Sequence, residues 1–357
     1  MITMLDYIQA TPSRIRTIIS TQNNTYATFD QWVKEHPNIR QIYLIGSGSS
    51  YTASIVTMRF IEKVSQLETH AILPNDFLGK EVYPDDALYI LISQTGTSHL
   101  TKEVLYKLKE KGLTTFALTE AETTPIGSQA DIHIDLGCGK EEIGMRTVGY
   151  NCTVFNLMLI GLRIAKIQNL ISEEVFEDYM QDAIKAIDNL PNILDATNKW
   201  IDAQEDTLNE KKAIVLYGAG PLWGIALEAA MKILEVDKRF ICVGYEIDDG
   251  LHGPDMAFHS EHAIIMLNNG GKDDELLQKG AKYMKEVVGC GYIIGKNIQD
   301  NTDLPLDIQS TYFYPLEFAP VIQLLSYRLA IDYGIPVETM DKAVVKSSSY
   351  FKTHDKG

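Results

Sequence analysis

Two short segments crowd hydroxyl groups onto glycine turns: Gly46-Ser47-Gly48-Ser49-Ser50-Tyr51 and Ser93-Gln94-Thr95-Gly96-Thr97-Ser98. Each runs into a stretch of helical pattern. Glycine lets backbone N–H groups approach an anion, a helix N-terminus adds partial positive charge, and Ser and Thr hydroxyls donate without formal charge. Such a pair of turns suits a phosphate group. Either turn alone reads as well as a helix N-cap, for which Ser and Thr are favoured; together, on adjacent strand ends, they favour the phosphate. A dinucleotide or P-loop site is not indicated. The first turn lacks the third glycine of GxGxxG, no acidic residue closes a second strand at the expected distance, and a Walker lysine is missing.

A second group of residues carries charge. In GIALEAAMKILEVDKRF, Glu228, Lys232 and Glu235 fall on one helical face at spacings of four and three. That spacing usually means a solvated salt-bridge stripe. Here the neighbours, Ile225 to Ala230 and Met231 to Leu234, are almost all apolar, so the stripe is expected to be partly buried. Burial shifts carboxylate pKa values into a range useful for proton transfer. Beyond it, Gly250-Leu251-His252-Gly253-Pro254 holds a histidine between turn formers, where it could exchange protons near neutral pH. His259 and His262 follow, but no carboxylate–histidine spacing of a zinc motif accompanies them, and no metal is expected.

The elements that must position these groups come in two copies. RQIYLIGSGSS (Arg40–Ser50) and KAIVLYGAGPLWG (Lys212–Gly224) both read as a buried strand entering a Gly-rich turn, with Gly46 and Gly48 matching Gly218 and Gly220. ALYILIS (Ala87–Ser93) pairs with HAIIML (His262–Leu267), FALT (Phe116–Thr119) with YIIG (Tyr292–Gly295), and DIHIDL (Asp131–Leu136) with LPLDI (Leu304–Ile308). Each half closes on a long apolar helix, Asn151–Lys166 and Phe318–Asp332. Short apolar strands alternating with helices imply an α/β fold with a mainly parallel sheet flanked by helices in each half. The second copy keeps the glycines, in GAGPLW and LNNGGK, and loses the hydroxyls.

Composition narrows the function classes. The 357 residues suggest two domains, and the 45% hydrophobic content suffices for two cores. A net charge of −16 argues against a nucleic-acid or anionic-membrane surface. Cys138, Cys152, Cys242 and Cys290 are scattered without a CxxC pair, which fits reduced thiols and a cytoplasmic location. The beginning, MITMLDYIQATPSR, lacks an apolar signal core. No run is expected to span a bilayer, because Thr153–Leu162 is interrupted by Asn156 and closed by Arg163.

The chain resembles the sugar isomerase (SIS) domain family over nearly its whole length, as two tandem domains. It is most similar to the isomerase half of glucosamine-6-phosphate synthases and to fructosamine-6-phosphate deglycases. The GSGSSY and SQTGTS turns, EEIGMRT (Glu141–Thr147), LEAAMKILE and the HGP turn carry the resemblance. It implies phosphate contacts from Ser50, Ser93, Thr95 and Ser98 with Gln94 beside them, and ligand-loop positions at Gly48, Ser49 and Thr147. It also implies Glu235 as the proton-transferring glutamate, with Glu228 and Lys232 as its helix partners, and His252 as the ring-opening residue. Lys346, in AVVKSSS, matches a lysine that closes over the sugar, either as a Schiff base or by neutralising charge.

The implied layout is a helical extension over 1–30, a phosphate-binding SIS domain over 31–170, a helical connector over 171–211, a catalytic SIS domain over 212–340 and a closing tail over 341–357. A homodimer or higher homo-oligomer is expected, with the histidine loop reaching the neighbour's site, and no cofactor. Three departures from the synthases stand out. No glutamine-hydrolysing domain or cysteine follows Met1, so ammonia from glutamine is not expected. MRTVGY replaces a Ser-Thr-Lys run. The interval from Glu235 to His252 is one residue longer. The expected activity is a deglycase cleaving a 6-phosphorylated sugar–amine to hexose 6-phosphate and free amine. The alternatives are an amino-sugar-phosphate isomerase or deaminase, and a non-catalytic sugar-phosphate-binding protein.

Overall fold

A computed structural model of the chain describes residues 2–339, 350–351 and 353–354. The chain divides into two compact units. One takes Ser13–Gln181 with the described residues beyond position 349, and the other takes the residues up to Pro12 with Asp182–Thr339. Lys346 and most of the segment 341–357 lie outside the described residues.

The first unit is built on β1 (Gln41–Gly46), β2 (Glu68–Ile72), β3 (Ala87–Ile92), β4 (Thr115–Thr119) and β5 (Ile132–Asp135), with helices α1 (Met4–Thr25, which begins in the other unit), α2 (Ala27–Glu35), α3 (Ser49–Ser65), α4 (Pro74–Leu78), α5 (His99–Glu110) and α6 (Val148–Ile167). Its strands are all parallel, in the order β2-β1-β3-β4-β5. Every residue of β3 and β4 is buried, which is why these strands are unbroken apolar runs. Alternate residues face opposite ways: Tyr43, Ile45, Tyr89 and Leu91 pack with Phe77, Val104, Leu105 and Leu108 of α4 and α5. Tyr43 and Tyr89 stack at 5.3 Å.

The second unit repeats the plan with α7 (Glu173–Asp188, which crosses the division), α8 (Leu190–Asn209), β6 (Ala213–Gly218), α9 (Pro221–Val236), β7 (Ile241–Glu246), α10 (Ile247–Leu251), β8 (His262–Asn268), α11 (Asp274–Tyr283), β9 (Gly291–Gly295), β10 (Leu304–Pro305) and α12 (Pro315–Asp332). Its parallel order, read from the equivalent edge, is β7-β6-β8-β9-β10, the same as the first. The duplication reaches the torsion angles. Gly48 stands before α3 at φ 58°, ψ −130°, and Gly220 stands before α9 at φ 54°, ψ −125°. A side chain at Gly46 would meet Ser50 Cβ at 2.6 Å, and one at Gly218 would meet the Leu222 carbonyl oxygen at 2.1 Å. Both turns therefore demand glycine at both positions.

The helical start expected of the chain is present as two helices, α1 and α2, the second running to Glu35. The apolar stretch around Thr153–Leu162 belongs to a longer helix. By length and composition α6 could cross a membrane, yet it is wholly inside the fold, buried from Val148 to Ala165. Asn156 does not break it because its polar groups are matched. Its amide donates to the carbonyls of Cys152 and Leu136, and its Oδ1 accepts from the Tyr26 hydroxyl at 2.7 Å. Arg163 forms a forked pair with Asp30 and donates to Gln22, which ties α6 to α1 and α2.

Candidate active site

In a sheet of this order the chain reverses direction between β1 and β3, and ligands bind outside the carboxyl ends of strands at such a switch point. Gly46 pairs directly with Ile92, so the two hydroxyl turns start side by side. They bring Ser49, Ser50, Ser93, Thr95 and Ser98 to one edge of one sheet.

The N-cap alternative is met in position only by Ser98. The N-cap of α3 is Gly48, and neither α3 nor α5 has a side-chain cap hydrogen bond. Ser98 occupies the cap position of α5, but its hydroxyl accepts from Thr101 Oγ1 at 3.0 Å. Thr95 Oγ1 lies 2.7 Å from Thr97 Oγ1. Gly96, at φ 60°, packs so closely on Thr124 that an added Cβ would sit 2.4 Å from its hydroxyl. Thr95 and Thr97 are thus held by each other, and Ser98 by Thr101 in the first turn of α5.

Gln94 and Thr147 take a different part from the hydroxyls. The buried Gln94 amide donates to Glu141 Oε2 at 2.8 Å and reaches Glu120 at 3.4 Å. The other Glu141 oxygen accepts the backbone N–H groups of Thr147 and Val148 at 2.9 and 3.0 Å, where α6 begins. The Thr147 hydroxyl donates to the Met145 carbonyl, and the residue is fully buried. Gly149 leaves room for Gln94, since a Cβ there would lie 1.9 Å from the amide oxygen. Gln94 therefore clamps the second turn to the segment Glu141–Thr147. Burial raises the Glu120 carboxyl pKa, against the opposing charge of Arg146.

In the second unit, α9 carries the charged stripe. Glu228 and Lys232 are buried at 0% and 1% exposure, while the Glu235 side chain is 43% exposed. The Lys232 ammonium lies 3.5 Å from Glu228 and donates to Glu235 Oε2 at 2.9 Å. A buried cation thus holds an accessible carboxylate in place. The solvated-stripe reading holds only for Glu235. His252 closes α10 on an exposed loop, and among the described residues its ring has no hydrogen-bond partner. The His259 and His262 rings lie 4.0 Å apart, tilted by 40°, and no group of three His, Cys, Asp or Glu suited to a metal occurs among the described residues.

The second unit's own switch-point turn differs from the first. Asn268 and Asn269 side-chain oxygens accept the N–H groups of Gly270 and Gly271, and the Asn268 amide donates to Asp274. Donors that would face a ligand are engaged by the loop itself, next to a carboxylate. Glu120, Glu141 and Thr97 were not singled out by their chemistry in the sequence. Glu141 lay inside a recognised motif, but its role depends on a contact with Gln94 across 47 residues.

The fold is that of an α/β protein with two parallel five-stranded sheets flanked by helices. Residues 38–163, within the first unit, match the SIS domain. A glutamine–fructose-6-phosphate aminotransferase (isomerizing) of Clostridium tetani is 24% identical over 310 residues, 84% of this chain and 50% of its own. The chain spans about half the length of the curated relatives it matches. A crystal structure of a candidate phosphosugar isomerase from Clostridium difficile 630 superposes with a TM-score of 0.89 at 25% identity, covering 99% of this chain and 100% of that one. The C-terminal domain of glucosamine-fructose-6-phosphate aminotransferase from Francisella tularensis shares the fold, with a TM-score of 0.81 at 22% identity over 94% of this chain and 98% of its own.

Proposed function

We propose that the chain is a sugar-phosphate enzyme that cleaves a 6-phosphorylated sugar–amine to hexose 6-phosphate and free amine. The observation that carries this is the pair of hydroxyl turns beginning level with each other at the β1–β3 switch point. In this reading Ser49, Ser50, Ser93, Thr95 and Ser98 anchor the phosphate of the open-chain sugar. Such an anchor fixes the reacting carbons and removes much of the entropic cost of reaction. Residues 31–170 would form the phosphate-binding domain and residues 212–340 the catalytic one.

Glu235 is the proposed base. Held in place by Lys232, it would take a proton from C1 of a ketoamine to give an enaminol. Return of the proton at C2 gives the C1 imine. Addition of water and cleavage of the C–N bond then release the amine and the aldose 6-phosphate. Glu228 would hold Lys232, and His252 would assist ring opening. The exposed His252 loop also fits a homodimer in which it serves the neighbour's site; light scattering of the purified chain tests that.

The same proton transfer without C–N cleavage is an aldose–ketose isomerisation, and with loss of ammonia it is a deamination. A panel of 6-phosphorylated fructosamines, glucosamines and amino sugars separates the three. Free amino acid or amine marks the proposed reaction, ammonia the deaminase, and sugar interconversion alone the isomerase. Binding of sugar phosphates without turnover of any of them would refute an enzymatic role.

A further inference from the structure

The hydroxyl turn of the first unit has a neighbour with no role in the chemistry above. Thr353 and His354 run along it: the His99 N–H donates to the Thr353 carbonyl at 3.0 Å, and Ser98 and His354 form an antiparallel bridge. His354 Nδ1 lies 3.1 Å from Thr97 Oγ1, which lies 2.7 Å from Thr95 Oγ1. The three atoms form a chain that ends on a hydroxyl assigned to the phosphate.

Counting protons decides what this chain can do. Each threonine hydroxyl has one proton to donate. If Thr97 donates to His354, Thr95 must donate to Thr97, and no hydroxyl proton is left for a ligand. If His354 donates to Thr97, then Thr97 can donate to Thr95, and the Thr95 proton points outward. A phosphate dianion offers only acceptors, so it selects the second arrangement. Burial, and after it the charge of Arg146, lowers the His354 pKa, so the ring has a single N–H to place on Nδ1 or Nε2.

We propose that His354 is a positioning residue of the phosphate site, donating from Nδ1 to Thr97 so that the Thr95 hydroxyl proton is directed at the bound anion. This rests on the phosphate reading of the turn. It also supplies a reason for a histidine beside a turn that otherwise contains only uncharged donors.

The test is titration of the whole chain with inorganic phosphate, followed by phosphorus NMR or calorimetry. His354→Ala should weaken phosphate about five- to tenfold, the scale of one net hydrogen bond to a charged ligand network. His354→Asn, which retains a donor, should stay within about twofold of the wild type. In a Thr97→Val background, His354→Ala should have no further effect, because the histidine acts through Thr97. Ser93→Ala serves as the reference for the turn itself. If the wild type does not bind phosphate, or Ser93→Ala leaves binding unchanged, the phosphate reading falls and this proposal with it. If Ser93→Ala weakens binding while His354→Ala does not, the role of His354 alone is overturned. The same follows if the His354→Ala effect persists in the Thr97→Val background.

Discussion

Replacing Lys232 by Met separates the structural and chemical parts of the α9 stripe. Methionine retains most of the apolar stem and removes the ammonium. Glu228, at 0% exposure, then loses the cation 3.5 Å away, while Glu235, 43% exposed, can turn to water. Removing one partner of a buried pair costs about 3–5 kcal/mol, whereas an exposed partner contributes about 0–1 kcal/mol. Nearly all of the loss should therefore come from Glu228. For a unit of this size, 1 kcal/mol moves the melting temperature by about 2–4 °C, so Lys232→Met should melt about 6–20 °C lower. Adding Glu228→Gln to Lys232→Met should restore much of that stability, since an uncharged amide needs no counter-ion. Circular dichroism melts of the two variants and of Glu235→Gln are the assay. A Lys232→Met melt within about 2 °C of the wild type would refute the buried-pair reasoning. So would a double variant less stable than Lys232→Met alone.

Other outcomes follow from the same structure. Gly48→Ala and Gly220→Ala should each destabilise by about 1–3 kcal/mol, because both glycines sit at positive φ with ψ near −130°, and unchanged urea midpoints would contradict the shared turn geometry. The Lys285 ammonium and the Thr302 hydroxyl hold the Asp300 carboxyl down at about 2. A depressed acid stabilises the fold above its unfolded pKa, so this small contribution should be lost as pH falls from about 4 to about 2, and Asp300→Asn should flatten that limb of the stability profile. All four cysteines are free and buried, and burial pushes Cys242 up to about 12 and Cys138 and Cys152 higher still. Thiol titration near pH 8 should therefore find no fast-reacting cysteine until denaturant is added, and rapid native labelling of any of these three would contradict their burial.

The strands legible in the sequence as unbroken apolar runs are the interior ones; of the edge strands only β5 and the short β10 could be read. β1, β3, β4, β6, β8 and β9 are covered on both faces, and burial on both sides requires an unbroken apolar run. β2 (ETHAI) and β7 (ICVGYE) lie at sheet edges and are half exposed, so their residue types carry no such requirement and they escaped notice. The glycines of both turns were visible because no other residue takes those torsions. The hydroxyl clusters are visible as composition, but only the structure shows that Gly48 and Ser98 hold the cap positions. Gln94 shows the limit: its position beside the phosphate residues suggested a ligand contact, while its amide faces Glu141. Long-range partners such as Arg163 with Asp30, or His354 with Thr97, leave no local pattern to read.

Steady-state kinetics on a 6-phosphorylated fructosamine tests the division of labour between the two units most directly. Ser93→Ala should raise KM about tenfold or more with kcat little changed, and Glu235→Gln should lower kcat by at least about a hundredfold while phosphate-ligand binding is retained. A Glu235→Gln variant that keeps most of its activity, or a Ser93→Ala variant with unchanged KM, would contradict the account.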